Sequence, residues 1–133
     1  MSDEGFETAI EVRFRDLDPD GHVNNAVYAT YAEQARVAFY QEVIGVPLPE
    51  APPVIVGLEI DYRAPIEVGD DVTASLSIPE LGRSSIPMTY EIRANGEVAA
   101  TVETTQVTWD ADAGESMPIP ESWRRRIEAN QGL

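Results

Sequence analysis

The stretch Asp16–Arg36, DLDPDGHVNNAVYATYAEQAR, changes character near its midpoint. Its first part, Asp16–Asn25, gathers three aspartates, Pro19, Gly21, His22 and two asparagines, which is the composition of a turn. From Asn24 onward the pattern is different: Tyr28, Ala32, Ala35, Phe39 and Val43 recur at three and four positions, with Tyr31 beside them. That spacing predicts a helix of about 18–20 residues. Asn24 or Asn25 can cap its start, and Gly45 with Pro47 ends it near Val43. Alanines on the inner face allow another element to pack closely.

Upstream, Ile10, Val12 and Phe14 alternate with Glu11, Arg13 and Arg15, predicting a strand with one wet face. Residues 1–7 and 130–133 read as frayed ends. Downstream, residues 46–53 hold four prolines and form a loop. Four period-two segments follow. Val54, Val56, Leu58, Ile60 and Tyr62 share one face; so do Val72, Ala74, Leu76 and Ile78; so do Ile86, Met88, Tyr90 and Ile92. The last runs from Glu97 to Trp109, and its alternation slips between Val102 and Val107, predicting a bulge or a change in what covers each face. Asn95-Gly96 fits a two-residue type I′ hairpin, and Pro79–Arg83 a longer turn. Pro87 inside a strand points to an edge or a bulge. Asp110–Pro120 reads as loop and Glu121–Ala129 as a short helix. Strand, long helix and four-strand meander make an α+β domain in which five antiparallel strands curl around one helix. One helix cannot cover such a sheet alone, so a second copy completes the packing.

With 133 residues, 43% of them apolar and 25% charged, the chain makes one domain with a packed core. It has no cysteine, which excludes disulfides, thiolate metal sites and a cysteine nucleophile. A single histidine excludes multi-histidine metal centres. The net charge is −15, and all nine basic residues are arginines. A field of that sign repels nucleic acid and anionic lipid, so neither is an expected partner. The acidic, lysine-free composition matches proteins that work in molar salt, where self-repulsion is screened. The opening residues MSDEGFET lack the apolar core of a secretory signal, so the cytoplasm is the expected location.

Three readings of Asp16–Tyr28 compete. Asp16, Asp18, Asp20 and Gly21 match the opening of an EF-hand calcium loop, but the twelfth position, where that loop needs a bidentate glutamate, is Val27. A second reading is a turn held by short polar side chains. The third is an active site. Free N–H groups at a helix N-terminus can hold a carbonyl oxygen as it gains charge, and a nearby carboxylate can attack that carbonyl or draw a proton from water. This is sufficient machinery for acyl transfer to water, with no metal and no cofactor.

The run DLDPDGHVNNAVYATYAEQAR resembles the signature of hotdog-fold acyl-CoA thioesterases of the 4-hydroxybenzoyl-CoA thioesterase type, and plant acyl-ACP thioesterases carry a similar segment. The resemblance covers roughly residues 8–128. It includes PVIVGLEIDYRAPIEVGDDV, the GRSS turn and the PIPESWRRRI tail. It implies a single hotdog domain that hydrolyses an acyl-CoA thioester. Asp18 is then the nucleophile or general base, and the backbone N–H of Asn25 polarises the carbonyl. Some relatives carry a catalytic histidine at the Asn25 position; here that part falls to His22. In the acyl-ACP relatives aspartate, asparagine and histidine alternate; here Asp18, Asp20 and His22 do, with an aspartate in place of the asparagine. Asp16 braces the turn. Arg83, Ser84 and Ser85 correspond to a CoA contact. The family forms homodimers or homotetramers, so the site is expected at a subunit interface, with Arg83 from the neighbouring chain. Arg124–Arg126 is the only basic cluster; it could attract the nucleotide end of CoA, but a helix end that favours cations explains it more simply.

Two alternatives remain on the same residues. A hotdog hydratase or dehydratase usually shows a Pro-Leu-His context, which this chain lacks. A non-catalytic acyl-CoA binder would bind esters without turnover.

Overall fold

The computed structural model describes residues 5–46 and 53–133. Five strands, β1 (Phe6–Ile10), β2 (Val54–Tyr62), β3 (Val72–Ser77), β4 (Ser85–Ala94) and β5 (Glu97–Val107), form one antiparallel sheet in the order β1-β3-β4-β5-β2. Helix α1 (Val27–Phe39) packs on one face. The period-two pattern explains which face. Ala74, Leu76, Ile86, Met88, Tyr90, Ile92, Ala100 and Val102 are buried against Tyr31, Ala32, Ala35 and Phe39 of the helix. The opposite face carries Thr73, Ser75, Thr89, Glu91, Thr101 and Glu103 and needs no cover.

The helix continues past Phe39 as a π turn, Tyr40–Ile44, and stops at Gly45 in the left-handed region at φ 84°. Asn95 (φ 55°) and Gly96 (φ 87°) form the expected tight hairpin. A small hairpin of β6 (Trp109–Asp110) and β7 (Glu115–Ser116) interrupts the segment expected to be loop. Helix α2 (Glu121–Gln131) closes the chain. No helix among the described residues is long and apolar enough to cross a membrane.

Several expectations are corrected. The first strand is Phe6–Ile10, and Phe14, placed on its buried face by alternation, is 92% exposed on a one-turn 3-10 helix. The ends are tied down where described: the Gly5 N–H donates to Asn130 O (3.1 Å), and the buried Gln131 accepts from the Ile78 N–H (2.7 Å). Pro87 sits on a central strand. It lies beyond Thr89, whose partner Ser77 ends β3, so that flank of β4 has no ladder to lose.

The slip in β5 is not a bulge at 102–107. The irregularities fall at Ile92/Arg93 and at Ile55/Gly57, while Thr104 and Gln106 keep the inner face and are buried polar residues. Arg124 and Arg126 lie in the first half of α2, so the dipole of their own helix does not explain them. Arg124 donates to Gly82 O (2.7 Å) and Arg126 to Ile44 O, the end of the α1 extension.

Candidate active site

The turn before α1 is folded by its own acids. Asp16 is buried, and its Oδ2 accepts from the Arg13 N–H (2.9 Å) and the Tyr31 hydroxyl (2.8 Å). Burial, then the hydrogen bond and charge of Asp16, push the Tyr31 phenol well above its usual range. Asp18 holds the next loop. Its Oδ1 accepts from the N–H groups of Asp20 (2.9 Å) and His22 (3.1 Å), while its own N–H donates to His22 O (2.7 Å). Gly21, at φ 81°, makes the reversal possible. Asp18 Oδ2 makes no hydrogen bond among the described residues.

Neither Asn24 nor Asn25 caps α1 as expected: the N-cap position is Ala26, with no side-chain cap. Asn24 instead folds the turn that leads in, its side-chain oxygen accepting from the Ala26 N–H (2.9 Å) and its carbonyl from the Val27 N–H (2.9 Å). The N–H of Asn25, between them, has no acceptor among the described residues. Asp18, His22, Asn25, Tyr28, Tyr62 and Arg63 line one open pocket of about 410 Å³. Asp18 and Asn25, which carry these unbonded groups, thus line the same pocket.

His22 contributes its main chain to Asp18, but its ring turns to Glu67, with Nε2 3.5 Å from Oε2, at the pocket rim. Tyr62, Arg63 and Glu67 escaped the sequence reading. Tyr62 donates its hydroxyl to Asn25 O (2.8 Å) and stands edge-on to Tyr28, ring centroids 5.0 Å apart. Its place in an alternating strand made it look like one more apolar residue. Tyr28 is buried as expected but also lines the pocket, and burial raises its phenol.

Arg83, Ser84 and Ser85 are not brought to this pocket within one chain. Ser85 pairs across β5 and β2 at the level of Val54, whereas Tyr62 pairs at the level of Ala100 and Ile92. The seven residue-to-residue steps from Ser85 to Ile92 span about 24 Å of strand. Among the described residues no group of three or more histidine, aspartate or glutamate side chains converges as a metal site needs.

A single long helix packed on a five-stranded antiparallel sheet is the hotdog arrangement, and its likeness to thioesterases makes the chain a thioester hydrolase. A family model described as thioesterase-like superfamily matches residues 12–127, and the chain belongs to that superfamily. It is similar to the structure of a thioesterase complexed with coenzyme A and Zn from Thermus thermophilus. Identity is 41% over 100% of this chain and 98% of that one, with a TM-score of 0.90. It is 29% identical to a 1,4-dihydroxy-2-naphthoyl-CoA hydrolase of Synechococcus elongatus, over 91% of this chain and 92% of the relative. It is 28% identical to the long-chain acyl-CoA thioesterase FadM of Escherichia coli, over 92% and 97%.

Proposed function

We propose that this protein hydrolyses an acyl-CoA thioester to the free acid and CoA. The observation that carries the reading is the shared pocket of the unpaired Asn25 N–H and the unpaired Asp18 oxygen. The Asn25 N–H holds the thioester oxygen. Asp18 either removes a proton from the attacking water or attacks the carbonyl itself, giving a mixed anhydride that water opens. In both routes the C–S bond breaks and the CoA thiolate takes up a proton. A donor so placed is worth about 10²–10³ in rate. In this reading His22, which lines the same pocket beside Glu67, relays the proton given up by the attacking water to the sulfur.

Strand β2 supports a working dimer. It is the edge of the sheet, nine residues long, and Val54, Ile55, Val56, Leu58 and Tyr62 are exposed along it. An uncovered apolar edge invites strand pairing. Antiparallel pairing of two β2 strands sets the Val54 end of one chain beside the Tyr62 end of the other. The partner subunit's turn equivalent to 83–85 then stands near this chain's pocket, where a guanidinium and two hydroxyls meet the CoA phosphates. The reaction belongs to the cytoplasm of a salt-accumulating cell, where an acidic surface is screened.

The test is thiol release from acyl-CoA esters of differing length and ring content, in molar KCl and in dilute buffer. The chain has no cysteine, so a thiol reagent reads released CoA alone. Turnover supports the reading. Saturable ester binding by folded protein without turnover replaces it with a binder.

A further inference from the structure

A buried cation interrupts the apolar packing between α1 and the sheet. Arg36 lies on α1 and is 9% exposed. Its Nη1 donates to the Tyr90 hydroxyl (3.1 Å), which lies 2.9 Å from Thr104 Oγ1, and its Nη2 is 3.9 Å from Glu33 Oε2. Among the described residues no fully buried side-chain nitrogen or oxygen lacks a partner. The guanidinium N–H groups that make no bond therefore open onto space. That space is a pocket of about 190 Å³, open to solvent and lined by Thr30, Glu33, Arg36, Ile55, Leu58 and Thr104. It lies in the seam between α1 and β2, the same seam whose other end is the Asn25–Tyr62 pocket. The irregularity at Ile55/Gly57 keeps Ile55 on the face of Leu58, so the β2 wall is apolar where the helix wall is polar.

We propose that Arg36 and Glu33 read an uncharged oxygen, a hydroxyl above all, at the far end of the acyl group. This rests on the acyl-CoA thioesterase reading and names its substrate class. The volume is that of a benzene-sized guest, about 150 Å³ being enough for one. A purely alkyl end there displaces water from the Arg36 donors and leaves them unpaired. A hydroxyl accepts from Arg36 and donates to Glu33. A carboxylate meets Glu33 and the −15 field of the chain, which disfavour it. From Asn25 to Glu33 the helix rises about 12 Å, and the Arg36 side chain leans back toward the helix N-terminus. The oxygen thus belongs about 12 Å from the thioester carbonyl, roughly the length of an extended decanoyl chain.

The experiment compares 10-hydroxydecanoyl-CoA with decanoyl-CoA on the wild-type enzyme, then on Arg36→Met. The wild type is expected to favour the hydroxylated ester in kcat/KM by about 10-fold or more, and the variant to bring the two together. If the variant does not fold, as judged by circular dichroism, Glu33→Gln at its exposed position is the second variant, and it narrows the preference. Equal turnover of the two esters by wild type overturns the inference and leaves the thioesterase standing. So does a preference that survives both substitutions, and so does turnover confined to other esters. Turnover of no ester at all overturns the thioesterase reading instead.

Discussion

The Tyr62 hydroxyl on the sheet edge donates to the main-chain carbonyl of Asn25 at the start of α1, across 2.8 Å. The peptide groups on both sides of Asn25 are held: one carbonyl by Tyr62, the other by the Val27 N–H, and the Ala26 N–H by the Asn24 side chain. Among the described residues the Asn25 N–H has no acceptor, and the bonds on either side of it fix its orientation. Tyr62→Phe removes one of the restraints without leaving a buried charge. It is expected to lower kcat about 10-fold with KM little changed, in steady-state thiol release.

The buried pair Asp16–Tyr31 holds the turn from beneath. Tyr31→Phe should cost about 1–2 kcal/mol in denaturant unfolding, and Asp16→Ala more, because it orphans both the hydroxyl and the Arg13 N–H.

Alkaline stability follows from the same packing. Burial raises the phenols of Tyr31, Tyr40 and Tyr28, with Asp16 adding to the effect at Tyr31. Groups raised above their unfolded value near 10 contribute stability that is complete below about pH 10 and is lost as pH climbs through the folded values. The midpoint of denaturant unfolding should therefore fall above pH 10. Tyr31→Phe should flatten that fall.

The β2 edge is expected to carry the dimer. Val56 is 62% exposed at the irregularity of this strand. Val56→Asp together with Leu58→Asp sets like charges across a two-fold, and sedimentation should show a monomer. Activity should fall with the dimer, because the partner subunit's phosphate-binding turn leaves with it.

Salt should matter in one direction. With a net charge of −15 the compact state repels itself, and the melting temperature should rise steadily from dilute buffer to molar KCl. A melting temperature independent of KCl would contradict a salt-adapted surface.

The fold was legible because its signals are local. Period three-four across Tyr28–Val43, period two in four segments and Asn95-Gly96 each specify one element. The misreadings share a cause. Ile10, Val12 and Phe14 alternate like a strand, but the strand ends at Ile10 and Phe14 is turned outward by a 3-10 turn that alternation does not encode. Thr104 and Gln106 read as a slip in β5 because polarity usually marks the wet face, whereas here Tyr90, Tyr40 and Met88 satisfy them inside. Asp18, His22 and Asn25 were legible as a cluster in one loop. Tyr62 and Arg63 were not, since the fold brings them to the pocket from about 40 residues away in sequence, and Glu67 meets His22 only through an isolated bridge between the two segments. The proline-rich loop expected at residues 46–53 includes residues 47–52, which lie outside the described residues.

The central claim is that Asp18 performs the chemistry beside a helix N-terminus. The most direct measurement is thiol release by Asp18→Asn against wild type on the best ester, with His22→Ala beside it and folding checked by thermal melting. Asn keeps the size and an acceptor oxygen for the loop N–H groups but removes the base. The account predicts a loss of about 10³-fold or more in kcat for Asp18→Asn with the fold intact. It predicts a loss nearer 10-fold for His22→Ala, whose hold on Asp18 is through the main chain. Full activity of a folded Asp18→Asn variant would contradict the account.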